Sequence, residues 1–119
     1  MPARLRPADP EVVAAALDRT ATGSATLSDA RLLTKHFLAV LESRAPGHSV
    51  EVRVPPYAAV QVISGVRHTR GTPPAVVEMD ADTWIALAIG SVSWTDAEAA
   101  GRVNASGERA DLTSYLPLT

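Results

Sequence analysis

Cysteine is absent from this chain of 119 residues, and aromatic residues make up only 4% of it. Without a thiol the chain has no cysteine nucleophile, no thiolate metal ligand and no disulfide framework. Its apolar runs are all much shorter than the roughly 20 residues that a membrane-spanning helix needs. We therefore predict no membrane span. Because the first residues also lack the apolar core of a secretory signal, we expect a cytoplasmic protein.

Histidine is scarce, and its spacing does not indicate a metal site. His36, His48 and His68 are isolated, without the i, i+4 spacing that places two imidazoles on one face of a helix. We expect His36 and His48 to be solvated surface residues. The sequence also lacks the glycine-rich phosphate-binding loops and the serine-hydrolase motif. We accordingly predict no catalytic residues, no metal and no cofactor, and we expect that the protein is not an enzyme.

Charge and length indicate one globular domain. Eleven basic residues against thirteen acidic residues give a net charge of -2, and the basic residues are scattered along the chain. A nucleic-acid partner is therefore not expected, because such partners bind a concentrated basic stripe. A hydrophobic content of 46% is sufficient for one core. We predict a flexible N-terminal arm over residues 1–8 and a single domain over residues 9–119.

The first half of the chain carries two helix signals. Asp9 followed by Pro10 is typical of a helix start, with an acid as N-cap and proline in the first turn. A second, longer helix is predicted to begin at Ser28 and to end before Gly47. Its apolar positions have the i, i+4, i+7, i+8 spacing of one helical face. They are Leu33, Phe37, Val40 and Leu41.

Four short segments alternate between apolar and polar residues, as strands with one buried face do. They cover residues 50–54, 58–62, 75–79 and 103–105. The hairpin-like spacing of the first three predicts that they pair antiparallel. Since helices and strands do not alternate regularly, the pattern favours an α+β fold with helices on one face of the sheet.

The most specific stretch of the sequence lies between Asp80 and Gly107. Asp80 is placed to cap a helix, and Gly90 is placed to end it in a left-handed conformation. Thr95 and Glu98 have the spacing of a capping box, which predicts that Thr95 is the N-cap of a second short helix. A brief alternating strand follows.

This order of helix, glycine, capped helix, glycine and strand resembles the sterol carrier protein family, and the similarity covers residues 28–118. The chain is most similar to the bacterial branch of that family, which includes the accessory domain of thiol-dependent isomerases of the maleylpyruvate type. The resemblance implies an α+β sterol carrier-like fold with a mainly antiparallel sheet of about four to five strands, covered by helices on one face. The residues that match the family signature are Trp84, Leu87, Gly90, Ala97, Gly101, Val103 and Gly107.

The resemblance implies a non-catalytic domain that binds or carries a hydrophobic or amphipathic small molecule, such as a lipid, a sterol-like or an acyl ligand. The ligand would lie between the sheet and the helices, with the C-terminal segment as a lid. We expect no isomerase activity, because the helical metal-binding module of those enzymes is not part of this sequence. The residues expected to line the hydrophobic cavity are Phe37, Leu41, Trp84, Leu87, Val103, Leu112, Tyr115 and Leu116.

Periodicity alone indicates only that these side chains are buried, and a close-packed core is the simpler interpretation of an apolar stripe. The alternative function is a protein-interaction or accessory module without ligand, either as a homodimer or as the partner of an enzyme.

A polar loop between the second and third strands suggests a site for an anionic head group. Guanidinium and hydroxyl groups bind such groups well. The alternative is a rigid connection in which the two prolines that follow set an extended path. The candidate residues are Arg67, His68, Arg70 and Thr72.

Overall fold

The computed structural model describes residues 5–65, 75–107 and 110–119. Within these ranges the chain forms four α-helices and one four-stranded sheet, which confirms the predicted α+β class. In chain order the elements are α1 (Pro10–Ala21), α2 (Leu27–Arg44), β1 (Val50–Val54), β2 (Ala58–Val62), β3 (Ala75–Met79), α3 (Ala81–Ile89), α4 (Trp94–Ala99), β4 (Val103–Ser106) and a 3-10 turn (Thr113–Tyr115).

The sheet has the strand order β2-β1-β3-β4. β1 pairs antiparallel with β2, and β3 pairs antiparallel with β4, but β1 and β3 are parallel. The prediction of antiparallel pairing among the first three strands is therefore wrong for β3. β2 ends beside the start of β1, where Val62 pairs with Val50, and β3 also starts there, where Ala75 pairs with Val50. β3 consequently runs in the direction of β1.

One face of the sheet is apolar and buried. Val50, Val52 and Val54 have no exposed surface, whereas Arg53 between them is exposed. The strand register places alternate residues of neighbouring strands side by side, for example Val52 beside Val77, so the buried positions form a continuous surface. These valines share one core cluster with the buried side chains of the helices, as the alternating pattern predicts.

α2 begins earlier in the sequence than predicted, because Thr26 and not Ser28 is its N-cap. The Thr26 hydroxyl accepts a hydrogen bond from the Asp29 N–H, and the Asp29 carboxylate accepts one from the Thr26 N–H at 3.0 Å. This reciprocal capping box satisfies two amides at the helix start. Arg19 of α1 also donates two hydrogen bonds of 2.8 Å to the Asp29 carboxylate, so that the same residue ties α1 to α2.

These contacts make Asp29 a source of acid sensitivity. The Arg19 guanidinium, together with the backbone hydrogen bond at Thr26, holds the pKa of the Asp29 carboxyl well below its ordinary value. A carboxyl whose pKa is depressed in the folded state stabilises the fold above its unfolded pKa of about 4 and loses that contribution as the pH falls. We therefore expect the free energy of unfolding to decrease more steeply below about pH 4 in the parent protein than in Asp29→Asn.

Urea unfolding at a series of pH values measures this difference. Asp96→Asn is the matched control, since Asp96 is exposed and its side chain makes no hydrogen bond to the part of the chain that the structure describes. If the free energy of unfolding of Asp29→Asn falls with pH as steeply as that of the parent protein, Asp29 is not the source of the acid sensitivity.

α3 has the boundaries that its end signals predict. The Asp80 carboxylate accepts a hydrogen bond of 2.8 Å from the Thr83 N–H, and Gly90 takes the left-handed φ of 81° that ends the helix. The N-cap of α4 lies two residues before the predicted Thr95, because the Ser93 hydroxyl caps the helix by accepting from the Asp96 N–H. Trp94 becomes the first helical residue and is 5% exposed.

Candidate ligand-binding site

The residues expected to line a cavity are mostly part of the packed core. Trp84 is completely buried, and its indole Nε1 donates a hydrogen bond of 3.2 Å to the backbone oxygen of Thr34 in α2. This bond fixes α3 against α2. Val103 is also buried, while Tyr115 and Leu116 are partly exposed. The other predicted lining residues are no more than 2% exposed: Phe37, Leu41, Leu87 and Leu112.

A cavity of about 250 Å³ lies where the C-terminal segment crosses α3 and α4. It brings together Leu87 of α3 and Leu116 of the C-terminal segment, which are two of the predicted lining residues. Trp94 at the start of α4 lies beside them. The segment is attached to α3 by a hydrogen bond of 2.7 Å from the Leu118 N–H to the Ala88 oxygen. The remaining lining residues are Gly90, Val92, Ser93, Thr113 and Pro117.

A larger cavity, of about 440 Å³, lies on a different face of α3 and was not predicted. Ile85, Ala86 and Ile89 of α3 form one wall, and the connection between α1 and α2 forms the other. The sequence did contain a signal for this cavity, because Ile85 and Ile89 widen the apolar stripe of α3 beyond the positions that face the sheet. The other lining residues are Thr20, Gly23, Ala25, Ala30, Asp82 and Ser91.

The linings of both cavities are largely uncharged. Asp82 is the single charged residue in the lining of the larger cavity, and the smaller one has only uncharged residues. Among the described residues, no group of three or more histidine, aspartate or glutamate side chains is placed to hold a metal ion. The described lining residues can therefore exclude water from an apolar ligand. In the smaller cavity the Ser93 hydroxyl already caps α4, and the Thr113 hydroxyl donates a hydrogen bond to the Asp111 carboxylate.

Thr34 is buried, and its hydroxyl oxygen has no hydrogen-bond partner in the part of the chain that the structure describes. Its backbone oxygen accepts the Trp84 hydrogen bond. A buried hydroxyl without a hydrogen bond lowers the free energy of unfolding. The Thr34 hydroxyl lies at the contact between α2 and α3.

The candidate head-group residues lie outside the described residues; these are Arg67, His68, Arg70 and Thr72. His48 is exposed, as predicted, and its Nδ1 lies 2.9 Å from Gln61 Oε1. His36 differs from the prediction, because it is half-buried and its Nδ1 accepts a hydrogen bond of 2.9 Å from the Ala8 N–H. Burial lowers the pKa of the His36 imidazole.

A helix long and apolar enough to span a membrane does not occur in residues 5–65, 75–107 or 110–119.

Comparison with known protein families identifies the family of this chain. The model of the family described as bacterial SCP ortholog matches residues 26–118, which include every strand and α2 to α4. A search of curated proteins finds no match. The match covers most of the chain and includes both sides of the cavity beneath Leu116. The protein therefore belongs to the family of bacterial SCP orthologs.

Proposed function

We propose that this protein is a non-catalytic carrier domain for a hydrophobic or amphipathic small molecule, such as a lipid, a sterol-like or an acyl ligand. The observation that carries the proposal is the cavity between Leu87 of α3 and Leu116 of the C-terminal segment. It is mostly apolar, it lies beside α3, and one of its walls is the C-terminal segment. Membership in an SCP-like family supports a carrier-type domain.

The size of the cavity indicates how a ligand would enter. Its volume of about 250 Å³ is below the roughly 300–1,000 Å³ of sites for drug-sized ligands. A long alkyl chain therefore requires the C-terminal segment to move, with Leu116 and Pro117 opening as a lid. Leu116 and the neighbouring Tyr115 pack against the core cluster that contains Leu112, Trp84 and Phe37.

A second candidate function is a protein-interaction or accessory module without ligand, acting as a homodimer or as the partner of an enzyme. The close packing of the interior favours it, because Phe37, Leu41 and Trp84 are each no more than 2% exposed. A protein with a filled core has no need of a lid. Under this alternative the two cavities flanking α3 are surface grooves, and blocking either leaves the behaviour of the protein unchanged.

The proposal predicts that filling the cavity abolishes ligand binding. In Leu116→Trp the larger side chain occupies the space between α3 and the C-terminal segment. We expect this variant to bind cis-parinaric acid, a fluorescent fatty acid, at least about tenfold more weakly than the parent protein. The dissociation constant is measured from the emission of the directly excited probe.

Two variants serve as controls. Leu27→Trp adds the same side chain at a residue that is 80% exposed and lines neither cavity, so its affinity should stay within about twofold of the parent. Ala86→Trp blocks the 440 Å³ cavity on the other face of α3. If Ala86→Trp alone loses binding, the carrier function stands, but the ligand site is the 440 Å³ cavity. Unchanged binding in both Leu116→Trp and Ala86→Trp would contradict the proposed function.

A further inference from the structure

A third groove, of about 370 Å³, lies on the outer face of α2 and is closed on one side by the segment that precedes α1. Three cationic side chains line it: Arg6 from that segment, and Arg31 and Lys35 from α2. Arg31 and Lys35 are four residues apart and so lie on the same face of the helix. The fold therefore brings together positive charges that are widely separated in the sequence.

These charges have no carboxylate partner among the described residues. The ion pairs within 4.0 Å in that part of the chain join Arg19 to Asp29 and Arg53 to Glu51. Asp29, the acidic residue of α2 closest in sequence to Arg31, is thus already bound by Arg19. The lining of the groove contains no acidic residue. In a protein of net charge -2, three unmatched cations in one groove are a local excess of positive charge.

The groove also contains an uncharged N–H donor, from His36. Because Nδ1 of His36 accepts the hydrogen bond from the Ala8 N–H, the proton of the neutral ring is on Nε2. Burial lowers the pKa of this imidazole, which favours the neutral form near pH 7. Nε2–H makes no hydrogen bond to another described residue. The exposed hydroxyl of Ser28 adds a second neutral donor to the lining.

From this arrangement we propose that the groove on α2 is a binding site for a small phosphate monoester. Three cations exceed what one carboxylate can neutralise, whereas a phosphate monoester carries about -1.5 to -2 charges at pH 7 and has three strong acceptor oxygens. Arginine side chains bind such a group bidentately. The groove is larger than a phosphate alone, and Ala8 and Leu32 in its lining provide apolar contacts for the organic part of the ligand.

This site is separate from the proposed lipid cavity. Its lining shares no residue with the cavity beneath Leu116 or with the larger cavity on α3. Binding of a phosphate ester can therefore be present or absent whatever the outcome of the fatty-acid experiment.

The test is a calorimetric titration with phenyl phosphate at low ionic strength. We expect saturable binding with a dissociation constant of about 1 mM or lower, which weakens as salt is added. The double variant Arg31→Gln with Lys35→Gln should bind at least about tenfold more weakly. Benzoate, which keeps the ring but carries one negative charge, should bind at least about fivefold more weakly than phenyl phosphate.

The control pair is Arg44→Gln with Arg53→Gln, which changes the net charge by the same amount and lies outside the groove. It should alter the affinity by less than about twofold. Amide NMR of the parent protein during the titration should show the largest shifts at Ser28 and His36. Equal weakening in both double variants, benzoate binding as tight as phenyl phosphate, or no saturation up to about 10 mM would each overturn the proposal.

Discussion

Replacing Gly47 with alanine is expected to destabilise the protein by roughly 3 kcal/mol or more, because the added methyl group has no space. A Cβ at Gly47 would lie within van der Waals overlap of both the backbone carbon and the backbone oxygen of Ile63, 2.2 Å from each. These are main-chain atoms that cannot rotate away. Gly47 also has a φ of 152°, in the range that side chains disfavour.

The surrounding hydrogen bonds explain why the backbone cannot move to relieve this clash. The Ile63 N–H donates to the Ala45 oxygen at 2.6 Å, and the Ser49 N–H donates to the Ile63 oxygen at 2.9 Å. The end of β2 is thus tied on both sides of Gly47, between the end of α2 and the start of β1. Any shift at Gly47 would break the link that joins the helical layer to the sheet.

Chemical denaturation of Gly47→Ala gives the free energy of unfolding, and Gly101→Ala is the matched control. Gly101 has a φ of 73°, but a Cβ added there would meet nothing within 4 Å. Its substitution should cost only the left-handed conformation, about 1–2 kcal/mol. Equal losses of stability in the two variants would show that backbone conformation alone, and not the approach of Ile63, requires the glycine at position 47.

The second large effect is expected at Trp84, where substitution by alanine should cost about 3–5 kcal/mol. The indole is completely buried and makes the hydrogen bond to the Thr34 oxygen. Alanine removes both the packed volume and the donor. The loss should appear in urea unfolding as a lower midpoint.

Trp84→Phe separates the two contributions, since it keeps most of the aromatic volume and removes only the Nε1–H donor. We expect a loss of about 1–3 kcal/mol, because the Thr34 oxygen is then buried without that hydrogen bond. A Trp84→Ala protein as stable as the parent would mean that Trp84 does not anchor α3 against α2.

Much of this fold follows from local signals in the sequence. The ends of α3 are set by Asp80 and Gly90, because a side-chain cap and a left-handed residue act within one turn. The four strands follow from alternation, since only one face of the sheet is buried. Thr26 could have been preferred to Ser28 as the cap of α2, because Asp29 stands three residues after it. The start of α4 at Trp94 likewise follows from a local cap, because the Ser93 hydroxyl accepts from the Asp96 N–H.

Contacts between distant segments could not be predicted in the same way. The parallel pairing of β1 with β3 depends on β3 starting at the same end of β1 as that at which β2 ends. Both the cationic groove and the half-burial of His36 depend on the segment that carries Arg6 and Ala8 crossing α2. Periodicity could indicate that the residues expected to line the lipid cavity are buried. It could not distinguish those that belong to the packed core from those that border the space beside Leu116.

The most direct test of the carrier function asks whether an alkyl chain reaches the cavity beside Trp94. Dibromostearic acid is suited to this, because bromine quenches indole emission only at short range, and Trp94 lines that cavity while being 5% exposed. The proposal predicts saturable quenching of the tryptophan emission on titration, strongly reduced in Trp94→Phe. Emission that is unchanged up to the solubility limit of the acid would contradict it.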